Sequence, residues 1–449
     1  MNWIIDLIEN NGDQVAVLFH EQKYSYIQLA TQIKKYYEEI KNKLPQGGAT
    51  ISIISDYSFE SIALFFALVE NKNIIVPITT KVKSEIKDRL KIAGCNYSIY
   101  FDNDNDKLNI IYNENISEVH PLIHDLQAKN CSGLILFSSG STGIPKAMIH
   151  NLDKLIDSYK DKKGKKLIFL IFLMFDHIGG LNTLLNCLSM GVTMVFPTNR
   201  DPEHVCSLIE KYGINILPAS PTFLNLILIS ESFKRYNLSS LRLITYGTES
   251  MPDSLLLKLK DVFPTVKFLQ TFGTSETGIS KISSKSSTST FLKFEDPNSE
   301  YKIVNGELWI RSKTQILGYL NSNMDRFTDD GWFKTGDLVE ESDDGYIKIV
   351  GRNNEIINVG GEKVLPSEVE SVLFQIPEIK DCIVFGESNP ITGQIVVAKI
   401  LFEKPLKVPE AKKIVYVFCI GKLDRYKIPA KVILMNESEF SERFKKKRI

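Results

Sequence analysis

A run of hydroxyl, glycine and lysine residues after a short apolar segment could bind a polyphosphate. The run is LILFSSGSTGIPK, from Leu134 to Lys146, and its first four residues predict a buried strand. Glycines permit the positive φ angles that turn consecutive N–H groups toward an anion, hydroxyls add donors, and the lysine adds charge. The predicted phosphate-binding residues are Ser138, Ser139, Gly140, Ser141, Thr142, Gly143 and Lys146. No hydroxyl residue follows Lys146, so the run is not a Walker A loop, and a solvated Ser/Gly loop is the alternative interpretation.

Two later segments place a carboxylate beside glycine. QTFGTSE, from Gln270 to Glu276, offers a stacking face, close backbone approach, hydroxyls and an oxygen ligand suited to Mg²⁺. GWFKTGD, from Gly331 to Asp337, ends in a carboxylate that can accept hydrogen bonds from both hydroxyls of a ribose. Taken alone, each segment could equally be an ordinary polar turn.

Together, in their order along the chain, these segments resemble the motifs of the adenylate-forming enzymes, the superfamily of acyl-CoA synthetases, peptide-synthetase adenylation domains and beetle luciferase. SSGSTGIPK is similar to the family's phosphate loop, TFGTSE to its aromatic-Gly-x-Thr-Glu motif, and FKTGD to its Thr-Gly-Asp motif. The resemblance extends to the last residues and so covers nearly the whole chain.

The resemblance implies a role for each matching residue. Phe272 and Gly273 would lie against adenine, Ser275, in place of the family's threonine, would contact the α-phosphate, and Glu276 would hold Mg²⁺. Asp337 would bind the ribose. The other implied positions are Tyr246, Gly247 and Thr248 near adenine; Arg352 at the ribose or phosphate; Asp176, His177, Gly247 and Thr271 in the acid pocket; Asn354 at a hinge; and Gly360 and Gly361 in a loop that approaches the acceptor thiol.

The pair Asp176–His177 bears on which acid is used. An aspartate at this point grips the substrate ammonium in amino-acid-activating domains. The neighbouring HIGG is closer to the His-x-Gly-Gly of acyl-CoA synthetases, in which the histidine lines the acid pocket. From the residues alone, Asp176 could instead be the N-cap of a helix that starts near Ile178.

The chain ends in a basic segment, ERFKKKRI, which taken alone is typical of a basic terminal tail without a specific function. The family ends in Gly-Lys-x-x-Arg, at a set distance after a proline that precedes a strand. Counting from Pro429 places Lys445 on the catalytic lysine, with Phe444 in place of the glycine and Lys446 as the alternative register. Such a cation would bridge the attacking carboxylate and the α-phosphate, and no general base is needed because the carboxylate is already ionised.

The elements that must position these residues alternate between strand and helix. Strand, helix and strand at Thr50 to Ile54, Phe59 to Glu70 and Ile74 to Ile78 predict a parallel sheet covered by helices. A buried strand is predicted at Leu167 to Phe175, and short alternating strands from Tyr301 predict a small β subdomain. The predicted fold is α/β: a large N-terminal ATP- and acid-binding domain of parallel and mixed sheets with helices (1–351), and a small α+β lid domain with the catalytic lysine (352–449).

Composition limits the partners and the location. The 449 residues include 54 basic and 54 acidic side chains, which gives no electrostatic argument for nucleic acid or an anionic membrane. The apolar runs are far shorter than the ~20 residues of a membrane span, and the start lacks the basic region of a signal peptide. Six scattered cysteines predict neither a disulfide framework nor a zinc site. We therefore expect a cytoplasmic protein with neither a nucleic-acid partner nor a membrane span.

The sequence thus predicts an ATP-dependent carboxylic acid ligase. The carboxylate attacks the α-phosphorus of Mg-ATP, pyrophosphate leaves, and a thiol then displaces AMP from the acyl-AMP. The thiol is coenzyme A or the phosphopantetheine of a separate carrier protein, since both offer the same end. The alternatives are an amino-acid adenylation enzyme that loads a separate carrier protein and a non-catalytic nucleotide-binding regulator.

Overall fold

The computed structural model describes residues 2–45, 47–101, 108–114, 119–138 and 145–446. The predicted phosphate-loop residues Ser139, Gly140, Ser141, Thr142 and Gly143 lie outside these ranges. The α-helices of the described ranges are α1 Trp3–Asn10, α2 Tyr26–Lys43, α3 Phe59–Glu70, α4 Lys83–Ala93, α5 Pro121–Ala128, α6 Leu152–Asp157, α7 Ile178–Met190, α8 Pro202–Tyr212, α9 Pro221–Ser230, α10 Asp253–Val262, α11 Pro366–Leu373 and α12 Val408–Cys419.

Two large sheets, here called A and B, have parallel centres; sheet A has one antiparallel edge, and sheet B is antiparallel at both edges. Neighbouring strands of sheet A are, in spatial order, Lys267–Gln270, Leu243–Tyr246, Ile216–Ala219, Ile168–Leu170, Thr193–Val195, Val15–Phe19 and Gln22–Ser25. Those of sheet B are Gly318–Tyr319, Lys146–Asn151, Gly133–Ser138, Ile74–Ile78, Thr50–Ile54, Tyr97–Phe101 and Leu108–Tyr112.

Helix α3 packs between other elements on all of its sides. Its residues Ile62 to Val69 are fully buried, and they belong to one hydrophobic cluster with side chains of both sheet A and sheet B. A helix that is apolar all round is stable only when it is surrounded in this way. The apolar run in the sequence therefore forms the centre of the core.

An antiparallel sheet, sheet C, follows the large sheets. Its neighbouring strands are Ile282–Ser284, Phe291–Phe294, Ile347–Arg352, Phe333–Glu341, Glu307–Ser312 and Ser299–Val304. A short hairpin, Phe272–Thr274 with Gly278–Ser280, lies between sheets A and C in the chain. The β subdomain that the sequence predicts from Tyr301 thus takes in earlier strands as well.

The C-terminal residues build a separate core. Sheet D contains Glu362–Val364, Ile357–Val359, Gly393–Phe402 and Ile379–Asn389 as neighbours, and Lys431–Leu434 pairs with Gly393–Phe402. Together with α11 and α12 it encloses a hydrophobic cluster drawn from residues 357–434. The predicted fold class, a large α/β part with a β subdomain followed by a small α+β part, is confirmed. The exact boundary at 351/352 stays a prediction, and it falls at the end of strand Ile347–Arg352.

The segment Leu167 to Phe175 departs from its prediction. Only Ile168–Leu170 is a strand, and the chain leaves sheet A after Leu170 while Phe172 and Phe175 remain buried. Because these residues are buried without strand pairing, the sequence shows one continuous apolar run that resembles a single long strand. Across the described ranges, the structure has no helix of sufficient length and hydrophobicity to cross a membrane.

Candidate active site

One cavity of about 260 Å³ is lined by most of the predicted site residues that the structure describes. It opens at the carboxyl ends of parallel strands of sheet A, where ligands of open α/β sheets bind. The predicted residues that line it are Ser138, His177, Gly247, Thr248, Thr271, Phe272, Gly273, Ser275, Glu276, Arg352 and Lys445. Residues separated by hundreds of positions in the sequence therefore face one space.

Strand ends and a glycine shape the wall of this cavity. Gly247 follows the strand Leu243–Tyr246, and Thr271 follows the neighbouring strand Lys267–Gln270. A Cβ atom on Gly247 would lie 2.4 Å from Oγ1 of Thr271, so a side chain cannot fit between the two loops. Tyr246 itself is buried in the sheet and is not among the described lining residues.

The predicted ribose-binding residue, Asp337, forms an ion pair with Arg352. Asp337 and Arg352 are cross-strand partners in sheet C, and Nε of Arg352 donates to Oδ1 of Asp337 at 2.8 Å. Burial raises the pKa of Asp337, and the Arg352 guanidinium opposes that rise. Arg352 lines the cavity, whereas Asp337 is not among the described lining residues and meets the cavity only through its bond to Arg352.

Glu276 is held by a tyrosine that the sequence analysis missed. The hydroxyl of Tyr319 donates to Oε1 of Glu276 at 3.0 Å, and Nζ of Lys146 lies 5.5 Å from the centre of the Tyr319 ring. Burial raises the pKa of Tyr319, so it stays a neutral donor. Tyr319 reaches this place because Gly318–Tyr319 pairs with the strand that begins at Lys146. Nothing in its local sequence marks this role.

Glu276 suits Mg²⁺ that arrives with a nucleotide. Its carboxylate supplies hard oxygen atoms, and Tyr319 fixes one of them. Among the described residues no group of three or more His, Cys, Asp or Glu side chains could hold a metal ion. One carboxylate together with substrate phosphates is the usual way in which proteins bind Mg²⁺, so the residues fit this cofactor.

His177 faces the cavity, but Asp176 does not. Nδ1 of His177 accepts a hydrogen bond from the N–H of Gly179 at 3.0 Å, so His177 caps α7 and the possible N-cap role of Asp176 is wrong. Asp176 is only 3% exposed, and its Oδ2 atom accepts from Arg89 at 3.1 Å and from Arg443 at 3.2 Å. Two arginines therefore hold the carboxylate that would grip an ammonium in the amino-acid interpretation.

The electrostatics of the cavity keep His177 neutral. Burial lowers the pKa of His177 well below its ordinary value, and the nearby charges of Lys445 and Arg443 lower it further. A neutral imidazole can orient the substrate carboxylate, and it does not compete with the Lys445 ammonium for that carboxylate.

The two candidate lysines point in different directions. Lys445 lines the cavity, while Nζ of Lys446 donates to Glu370 at 3.2 Å and to the carbonyl oxygen of Cys382 at 2.8 Å, inside the C-terminal part. Burial, followed by the charge of Arg352, lowers the pKa of Lys445 to about 8. The geometry thus favours the register that places Lys445, and not Lys446, at the reacting groups.

The remaining predicted residues lie away from the cavity lining. Asn354 is exposed in a short 3-10 turn directly after Arg352. Gly360 and Gly361 form the exposed turn between two strands of sheet D, with φ angles of 62° and 95° that favour glycine. Their hinge and thiol-loop roles stay predictions.

The fold and this cavity define an α/β enzyme that binds a nucleotide between a large and a small part of the chain. The chain belongs to the AMP-binding enzyme family: the model of the AMP-binding enzyme matches residues 6–320, and that of the AMP-binding enzyme C-terminal domain matches residues 368–445. The predicted membership in the adenylate-forming enzymes is confirmed.

Relatives of known activity cover almost the whole chain. A 2-succinylbenzoate–CoA ligase of Bacillus licheniformis is 27% identical over 95% of this chain and 94% of its own length. A long-chain-fatty-acid–CoA ligase of Mycobacterium tuberculosis is 26% identical over 86% of this chain and 84% of its own length. The crystal structure of the anthranilate CoA ligase AuaEII in complex with anthranoyl-AMP is similar in fold, with a TM-score of 0.81 at 20% identity, and the match covers 98% of this chain and 94% of that one.

Proposed function

We propose that the protein is an AMP-forming acid–thiol ligase that uses ATP with Mg²⁺ and transfers the acyl group to coenzyme A. The observation that carries the proposal is the meeting of Lys445, His177 and Glu276 in one cavity. Relatives named as CoA ligases support coenzyme A as the acceptor. Phosphopantetheine on a carrier protein offers the same thiol and is the second candidate. We also propose a cytoplasmic location, where ATP and coenzyme A are available.

The residues around the cavity have different roles in acyl-adenylate formation, the first half-reaction. Lys445 places its ammonium between the attacking carboxylate and the α-phosphate, which lowers the repulsion between two anions. His177 orients the acid, while Arg352 and Asp337 hold the ribose side. Mg²⁺, when bound at Glu276, neutralises charge on the phosphates.

The amino-acid and regulator alternatives are weaker. A substrate ammonium would have to compete with Arg89 and Arg443 for Asp176, which is not among the described residues that line the cavity. A non-catalytic regulator would have no need for a half-buried lysine in the cavity that Ser275 and Glu276 also line.

The cavity offers the acid a hydrogen-bond donor beyond its carboxylate. Asn182, one turn into α7, lines the cavity, and its Oδ1 atom accepts from Tyr159 at 2.7 Å and from Asn186 at 3.1 Å. These bonds fix the amide, so its NH₂ group is available to an acceptor on the acid beyond the carboxylate.

Pyrophosphate release from Mg-ATP tests the proposal. The panel holds fatty, aromatic and amino acids, each with and without coenzyme A. We expect a signal with acids that carry an acceptor group beyond the carboxylate, and acyl-CoA as the product. Release with amino acids alone, unaffected by coenzyme A, would support a carrier-loading enzyme instead, and silence with every acid would support the regulator.

Adenylation is expected to weaken as the pH rises through about 8, because Lys445 must be protonated and its pKa is lowered to about 8 by burial and by Arg352. Glu249 opposes this shift, while Arg443 adds to it. His177 is already neutral in this range. The measurement is kcat/KM for ATP against pH, which reports the groups of the free enzyme. In Lys445→Arg the cation persists, so the decline should move to higher pH, and an unchanged decline would contradict the assignment.

A further inference from the structure

The residues directly before Lys445 make an unusual set of contacts. Phe444 occupies the place of the family's glycine, and its φ angle is 52°, a left-handed conformation that bulky residues rarely adopt. A glycine adopts this conformation without steric cost. Phenylalanine is therefore favoured here only if its ring gains contacts that glycine lacks.

The ring of Phe444 does gain such contacts. Its centre lies 5.2 Å from that of Phe172 and 5.4 Å from that of Phe223, both fully buried in the N-terminal part. Phe440, from the same C-terminal segment, stacks on the Phe444 ring at 5.2 Å with an interplanar angle of 16°. The ring thus joins the segment that carries Lys445 to the core beneath sheet A.

Arg443 adds a polar contact from the same segment. It donates to Oδ2 of the buried Asp176 at 3.2 Å and to the carbonyl oxygen of Phe137 at 3.4 Å. Asp176 is also held by Arg89, so this carboxylate is a fixed anchor. An ion pair with a buried, fixed partner is screened less by salt than a surface pair.

The backbone of the segment is bonded on both sides of Lys445. The hydroxyl of Ser220, the N-cap of α9, donates to the carbonyl oxygen of Phe444 at 2.6 Å. The N–H of Lys446 donates to Oε2 of Glu249 at 3.1 Å. Lys445 is consequently fixed at the residue before it and at the residue after it.

From these contacts we propose that Arg443 and Phe444 are positioning residues that lock Lys445 into the cavity. The lock favours the arrangement for acyl-adenylate formation and slows the withdrawal of Lys445 that thioester formation requires. The inference rests on the proposed function for its kinetic consequence, but the lock itself is a property of the free protein.

Amide hydrogen exchange of the peptide that covers residues 436–446 tests the lock without any substrate. We expect faster exchange in Phe444→Gly and in Phe444→Asn. Asparagine tolerates the left-handed conformation but lacks the ring, so it separates the loss of aromatic contacts from added backbone freedom. Arg443→Gln should also speed exchange, whereas Arg425→Gln, which removes an exposed arginine elsewhere in the C-terminal part, should not.

A kinetic experiment compares acyl-adenylate formation, the first half-reaction, with thioester formation, the second. In Phe444→Asn, pyrophosphate release should slow by about three- to tenfold, and single-turnover transfer from preformed acyl-AMP to coenzyme A should become faster, as expected when aromatic contacts are lost. Arg443→Lys, which keeps the charge beside Asp176, should retain more of the first half-reaction than Arg443→Gln.

The two proposals fail in different ways. If no acid supports pyrophosphate release, the proposed function is lost while the exchange result still decides the lock. If the amide exchange rate of this peptide in Phe444→Asn and in Arg443→Gln equals that of the unchanged protein, the proposed lock is wrong, whatever the activity of the variants.

Discussion

Replacing Lys445 with alanine is expected to lower the rate of acyl-adenylate formation by about 100-fold or more, which is the effect of removing a preorganised charge at a reacting centre. Lys445 lines the cavity beside His177 and Arg352, and the segment around it is bonded to Ser220 and Glu249. No other lysine is among the described residues that line the cavity. The measurement is pyrophosphate release at saturating Mg-ATP and acid.

The second half-reaction provides an internal test of folding. Transfer from preformed acyl-AMP to a thiol does not require the ammonium of Lys445 beside the α-phosphate. Lys445→Ala should therefore retain this transfer, and its loss together with adenylation would show that the variant is misfolded.

Lys446→Ala is the matched control for the choice between the two lysines. The Lys446 side chain contacts Glu370 and the Cys382 carbonyl oxygen, and its ammonium lies 4.8 Å from the centre of the Phe374 ring. We expect this variant to lower the melting temperature while adenylation falls much less than in Lys445→Ala. A reversal, with adenylation lost in Lys446→Ala and kept in Lys445→Ala, would establish the alternative register.

The sequence predicted those features that depend on local signals. Ser25 and Gln28 have the sequence spacing of a capping box, and in the structure they start α2 with both hydrogen bonds of the box formed. The roles expected of Gly247 and Thr271 rest instead on the resemblance to the adenylate-forming enzymes, and the pairing of their two strands in sheet A brings both residues to one cavity.

Features that depend on distant partners could not be predicted in the same way. Asp176 pairs with Arg89 and Arg443, which are 87 and 267 residues away in the sequence. Tyr319 reaches Glu276 only through the pairing of two short strands of sheet B. Residue type and spacing carry no signal for such contacts, so the sequence around Asp176 and Tyr319 indicates neither partner.

Phe444 shows why a departure from a family motif needs the structure. In the sequence it is a mismatch that leaves the position of the catalytic lysine open. In the fold it adopts a left-handed conformation that suits glycine, and its ring contacts those of Phe172 and Phe440. The mismatch thus supports the register of Lys445 once its conformation is known.

Replacing Glu276 with glutamine is expected to lower kcat/KM for ATP by about 100-fold and to raise the Mg²⁺ concentration needed for half-maximal rate. The amide keeps the size of the side chain and can still accept from Tyr319, but it lacks the negative charge that attracts the cation. The measurement is the rate of pyrophosphate release across a Mg²⁺ titration at constant free ATP.

Tyr319→Phe is the matched control, because it removes the hydroxyl that orients the carboxylate and leaves the carboxylate itself. A group that orients a metal ligand typically contributes about 10- to 100-fold. The loss of kcat/KM in Tyr319→Phe should therefore be no larger than the loss in Glu276→Gln, and the Mg²⁺ dependence should shift in the same direction. If Glu276→Gln lowers the rate without changing the Mg²⁺ dependence, Glu276 does not hold the cation. Its bond to Tyr319 would then serve only to join the hairpin Phe272–Thr274 and Gly278–Ser280 to sheet B.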